Sequence, residues 1–259
     1  MALCSAFLFA LGIQFTRVGL RHSDPRTGTL VSIGTATLLY WAVSPWLLER
    51  HYWLSPAVLL FAAIGLFRPF LSSNLSMAGT KHLGATISST LAATSPLFGV
   101  ALGVVLLGEH LGLDIALGTA AIVAGVVVLS WRDDVSRAWP WWALLLPIGA
   151  ALLRSVAQAF AKVGMESLPS PYFVGLVGYS VSFLVASIDH GRRGAPLGAI
   201  LSRYSGWFVL TGASYGLAIL SLNSALHCGR LSVVAPIVAC APLFTLVLGV
   251  SLFREKAVT

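Results

Sequence analysis

The sequence predicts an all-α membrane protein, a multi-pass helical bundle built from two inverted five-helix repeats. Three observations predict it. Of the 259 residues, 57% are hydrophobic and only 10% are charged, and mean hydropathy is +0.88. Soluble domains carry about a quarter charged residues, so this chain lacks the polar surface that a water-facing body needs. The apolar residues fall into nine runs of roughly the 20 residues that cross a bilayer, too long for the alternating strands of an outer-membrane barrel. Finally, the stretch Pro96 to Glu109, PLFGVALGVVLLGE, returns as Pro242 to Glu255, PLFTLVLGVSLFRE, with eight of fourteen positions identical at an offset of 146.

The runs can be justified in order. The first, 2–20, closes on Phe15-Thr16-Arg17-Val18-Gly19 and lacks the basic start of a signal peptide. The second, 27–48, ends at Trp46 and the charged Glu49 and Arg50. The third, 55–79, follows Tyr52 and Trp53, carries Arg68 and stops before Lys81. The fourth, 84–107, holds a small-residue stripe of Thr86, Ser89, Thr90 and Ala93, then Gly99 and Gly103, which suit close helix packing. The fifth, 112–131, ends at Trp131 and Arg132. The sixth, 141–164, opens at Trp141 and Trp142 and closes on Phe160-Ala161-Lys162-Val163-Gly164. The seventh, 171–188, opens at Tyr172 and stops before Asp189. The eighth, 205–227, follows Tyr204, opens at Trp207 and ends at His227. The ninth, 231–254, holds the second copy of the repeat. Tryptophans at run ends suit a membrane interface; Trp41 alone sits where a core tryptophan would. Cys4, Cys228 and Cys240 have no metal or disulfide spacing and read as small apolar packers.

The closing pentads FTRVG and FAKVG lie 145 residues apart, nearly the spacing of the longer repeat. Five spans per repeat make the second copy enter from the opposite side, which is an inverted repeat. The charges agree. Loops after runs 1, 3, 5, 7 and 9 carry eleven Lys and Arg, and loops on the other face carry three. The positive-inside rule then puts the first set in the cytoplasm and the N-terminus outside.

The PLF…LG…E helix in each half, Asn223-Ser224-Ala225-Leu226 before its second copy, and Leu111 to Leu129 with Gly118 and Gly125 after its first copy together resemble the EamA family of the drug/metabolite transporter superfamily. The resemblance spans nearly the whole chain. It implies ten helices in two inverted five-helix halves around a central cavity, moving small metabolites or drugs by alternating access. It also implies cytoplasmic termini, against the charge count. Residues 1–131 are expected to form the first EamA-like repeat, and 141–259 a C-terminally shortened second one. The fifth helix is expected to pack through Gly118, Ala121 and Gly125. Its partner would begin near residue 258, so nine helices are expected and a tenth is missing, leaving an apolar face that a homodimer would cover.

Ionisable residues inside a membrane are functional by default because charge there is costly. Only Arg68 and Arg154 qualify. On helical spacing Arg68 shares a face with Ser72 and Ser76, and Arg154 with Gln158 and Lys162. Each arginine either lines a cavity, pairs with helix-end carbonyls, or snorkels. Gln14, Asn74, Tyr215 and Asn223 are substrate-binding candidates or interhelical glue. Pro96 and Pro242 interrupt backbone ladders and are candidate hinges.

All nine carboxylates lie in loops or at helix ends, so the mid-membrane glutamate of the small multidrug-resistance relatives has no counterpart. A neutral, zwitterionic or anionic substrate fits better than a cation. No HExxH, phosphate-binding loop or G-x-S-x-G is present, so no enzyme, metal or cofactor is expected, and the net charge of +7 belongs to membrane orientation, not nucleic acid. The expected partners are a small-molecule substrate and the lipid bilayer of the inner cell membrane. The rival readings are a flippase or scramblase for lipid-linked head groups, in which Arg68 and Arg154 would grip a phosphate, and an intramembrane enzyme.

Overall fold

The computed structural model describes residues 1–20, 23, 25–83, 85–92, 94–130, 140–192 and 205–251. Trp131, Trp139, Ala93 and the loop around Glu255 lie outside them, as do the side chains of Thr86, Ser89 and Thr90. The helices are α1 (Ala2–Leu20), α2 (Pro25–Leu47), α3 (Ala57–Leu66), α4 (Ser72–Leu83), α5 (Ala85–Ala92), α6 (Ser95–Leu107), α7 (Leu113–Ser130), α8 (Leu145–Ser167), α9 (Pro171–Arg192), α10 (Ser205–Cys228), α11 (Leu231–Val238) and α12 (Ala241–Ser251). No strand occurs among the described residues. Six stretches are long and apolar enough to cross a membrane: Ala2–Leu20, Thr27–Leu47, Trp141–Ser167, Pro171–Arg192, Ser205–Cys228 and Leu231–Gly249. Together with α3–α4, α5–α6 and α7 they make nine segments among the described residues. The chain is thus an all-α, multi-pass membrane protein.

Two kinds of break explain why twelve helices make nine segments. In the third segment Arg68 is extended, with φ −140° and ψ 134°, a conformation favoured for a residue that precedes proline. In the fourth and ninth segments a short helix ends before a proline-led one begins. Pro96 and Pro242 each stand second in their helix, where a missing N–H costs nothing. The two segments match in register: α5 covers 85–92 and α11 covers 231–238, and α6 and α12 start at 95 and 241.

The core lies where α8, α9 and α10 meet α1, α2 and α3. Phe61, Phe173, Leu176, Leu222 and Leu226 are fully buried there. Helices approach closely through small residues: a Cβ on Gly212 would run into the Ser32 carbonyl, and one on Gly164 into the Phe61 ring. The outer face is apolar, with Leu59, Val105, Leu117 and Val128 each more than two-thirds exposed, as a lipid-facing surface requires.

Three expectations are corrected. The helix α7 does not pack through its glycines: a Cβ on Gly118 or Gly125 would meet nothing within 4 Å, and Ala121 is exposed. Its inward residue is Thr119, and a cleft of about 230 Å³ separates it from α11. An all-apolar helix offers no stripe that marks its packed side. Trp41 is not a core residue but 44% exposed, its indole N–H donating to Ser180 Oγ at 3.0 Å. Cys4 and Cys228 are exposed rather than packed.

Candidate functional site

The site forms where the third segment breaks. In an unbroken helix the Gly65 carbonyl would accept from the N–H of residue 69, but proline has none. The extended Arg68 also takes its own carbonyl out of the ladder. One side chain meets both: Ser182 of α9, fully buried, places its hydroxyl 2.5 Å from the Gly65 carbonyl and 2.9 Å from that of Arg68. Free backbone groups at membrane depth need such a partner. A Cβ on Gly65 would collide with the Gly178 carbonyl at 2.6 Å, so α3 and α9 touch at this level.

The break aims Arg68 into a cavity of about 40 Å³. Its lining includes Ile64 and Arg68 from the third segment, Gln158 and Ala161 from α8, Gly178 and Tyr179 from α9, and Ile219 and Asn223 from α10. Three predicted residues therefore meet: Arg68, Gln158 and Asn223. The Asn223 amide donates to the Pro171 carbonyl at 3.2 Å, which fixes its orientation. Gln158 Oε1 is buried without a hydrogen-bond partner among the described residues, an acceptor left for something else. No described carboxylate pairs with Arg68. The Phe9 ring lies 5.7 Å from its guanidinium carbon. The helix numbering puts the cavity roughly two to three turns below the bundle end that carries the 168–170 and 229–230 loops.

The other predicted residues lie elsewhere. Arg154 donates to Ser76 Oγ at 3.2 Å, away from the cavity lining, though within Coulombic reach of Arg68. The stripe Arg68, Ser72, Ser76 does not hold as one helical face, because the extended Arg68 breaks the phase. Ser72 is buried outside the lining and Asn74 is exposed. Gln14 is glue: its amide donates to the Thr245 carbonyl at 2.7 Å and joins α1 to α12. Tyr215 packs over Gly12, where no Cβ would fit. Lys162 donates to the Leu226 and Gly229 carbonyls at 2.6 and 2.7 Å, capping the C-terminal end of α10, where a cation is favoured.

Sequence reasoning missed Ser182, Tyr179 and the tyrosines behind them. The Tyr172 hydroxyl donates to the Tyr40 carbonyl at 2.6 Å, and the Tyr40 hydroxyl to Gly216 at 3.0 Å. The Arg68-Pro69 dipeptide was the available signal for the break; nothing in the sequence marks Ser182.

Residues 1–131 match the EamA-like transporter family. A comparison with curated protein sequences finds no match. A solved structure titled "Crystal structure of protein" superposes with a TM-score of 0.82 over 99% of this chain and 88% of the other, at 16% identity, which is a likeness of fold. With half its length matched to the family, the chain belongs to the EamA-like transporters and is a multi-pass membrane transporter of small solutes.

Proposed function

We propose that the protein moves a small organic solute carrying a carboxylate or another anionic group, by alternating access between two inverted halves, residues 1–131 and 141–259, in the inner cell membrane. One observation carries this reading. Arg68, a partly buried cation with no carboxylate partner among the described residues, faces Gln158 and Asn223 of the other half across one cavity. A buried charge is costly unless something pairs with it, and an anionic solute would. The free Gln158 Oε1 asks in addition for a hydrogen-bond donor on the same solute, so a zwitterion suits the site better than a simple anion. Ligand cavities usually measure about 300–1,000 Å³. At about 40 Å³ this one must widen to admit a metabolite, as a gated binding site does. The 146-residue repeat and the charge asymmetry of the loops support inversion.

The test is a thermal-shift screen of the purified protein against matched compounds: carboxylates, zwitterions, amines without an acid, and neutral analogues. Zwitterions and carboxylates are expected to raise Tm in the wild type and to lose that effect in Arg68→Gln. Stabilisation by amines alone, or an unchanged response in Arg68→Gln, would overturn the reading.

A further inference from the structure

The repeated motif contains something that packing does not need: a carboxylate six residues after a glycine. The first copy has Gly103 and Glu109, the second Gly249 and Glu255, the last of which lies outside the described residues. In the first copy the helix α6 ends at Leu107 and Gly108 turns left-handed, φ 62°, a conformation that costs glycine little. The Gly108 and Glu109 N–H groups both return to the Gly103 carbonyl, the second at 3.0 Å, and close the helix end. That turn sends the Glu109 side chain across to the second half. Its Oε1 accepts from the Leu231 N–H at 2.6 Å and its Oε2 from the Ser232 N–H at 2.8 Å. These are the first two N–H groups of α11, which have no acceptor within their own helix. Arg230, just before them, donates to the His110 carbonyl. Gly103 is part of the same device, because a Cβ there would stand 2.8 Å from Glu109 Oε2 and push the carboxylate off its seat.

We propose that Glu109 is a releasable latch between the two halves, closing the end of the bundle nearest the Arg68 cavity. The inference rests on the reading that the halves move, but not on what Arg68 binds. The helix α11 is only two turns long and is separated from α12 by a break. It backs onto the cleft beside α7, so it has room to swing once its N-terminus is free. Two charge-assisted bonds hold firmly while the carboxylate is ionised and weaken when it is protonated. Burial raises the Glu109 pKa, but hydrogen bonds from Ser232 and Leu231 and the nearby Arg230 charge outweigh it, leaving the group below the usual carboxylate range. A depressed pKa means that the latch is closed at neutral pH and lost as pH falls through that lowered value. Arg230 is the charged group that acts on Glu109. His110 is its chain neighbour, and Asp114 stands in the first turn of α7.

The test uses the full chain in lipid nanodiscs, with spin labels on native Cys228 and on Leu54→Cys, both exposed, after Cys4→Ser and Cys240→Ser. The account expects one short distance at pH 7. Glu109→Gln and Gly103→Ala should add a population longer by on the order of 5 Å, the scale of a one-turn shift. The protein with Glu109 intact should gain the same population as the pH is stepped down below the ordinary glutamate pKa of about 4.3, which keeps the test open if a variant fails to fold. Arg68→Gln should leave the distances as they are, whatever it does to solute binding. Identical distributions in all samples, or an acid response that survives in Glu109→Gln, would overturn the latch.

Discussion

The third and fourth segments of the two halves behave in opposite ways. The fourth is copied: α5 and α11 have the same length and register, and both give way to a helix with proline in its first turn. The third is not. In the first half it breaks at Arg68-Pro69, whereas Ser214, at the same offset in the second half, sits inside the unbroken α10. The frame is alike in the two copies of the repeated stretch, and the site is not. A single cation held on irregular backbone lies on one side of the cavity, and the amides of Gln158 and Asn223 face it from the other. Because the break is one-sided, its cost is met by one residue of the opposite half, Ser182.

The largest effect is expected from removing the charge that makes the halves unlike. Arg68→Gln should weaken an anionic or zwitterionic ligand by about 2–5 kcal/mol, the range for truncating one partner of a buried charged contact. Titration calorimetry with the best ligand from the screen reads this directly. Ser182→Ala should come next. It strips the donor from the Gly65 and Arg68 carbonyls and should lower stability by about 1–3 kcal/mol, whereas Ser214→Ala, buried but inside a continuous helix that needs no such donor, should cost less than about 1 kcal/mol. Equal losses in thermal unfolding would erase the comparison. A cycle sharpens it: Pro69→Ala restores an N–H to the helix, so Ser182→Ala should cost about 1 kcal/mol less in that background than in the wild type. The smallest effect belongs to Asn74→Ala. Its side chain is exposed and off the cavity, so ligand affinity should move by less than about 0.5 kcal/mol.

Much of the fold was legible because lipid imposes a plain rule: every span must be long, apolar and helical. The nine segments follow from it. Arg68 was legible for the same reason, being one of two charges far from any interface. What stayed hidden depends on partners distant in sequence. Gln14 and Gln158 look alike as isolated amides in apolar runs, yet one bonds the Thr245 carbonyl and the other keeps a free oxygen in the cavity. Ser182 is one serine among many until Pro69 is set beside it. The glycines of α7 suit close packing but stand open, because small residues permit contact without requiring it. In the sequence Glu109 only ends the repeated stretch, and only the fold shows that it caps α11.

The central claim is that Arg68, and not Arg154, is the cation that meets the solute. The most direct measurement is mass-spectrometric mapping of phenylglyoxal modification in the full chain, with and without the ligand giving the largest thermal shift. The account predicts that bound ligand slows modification of Arg68 at least tenfold, while Arg154, bonded to Ser76 outside the cavity, changes less than about twofold; a tenfold effect corresponds to roughly 1.4 kcal/mol of protection. Protection of Arg154 with Arg68 unchanged would contradict the account.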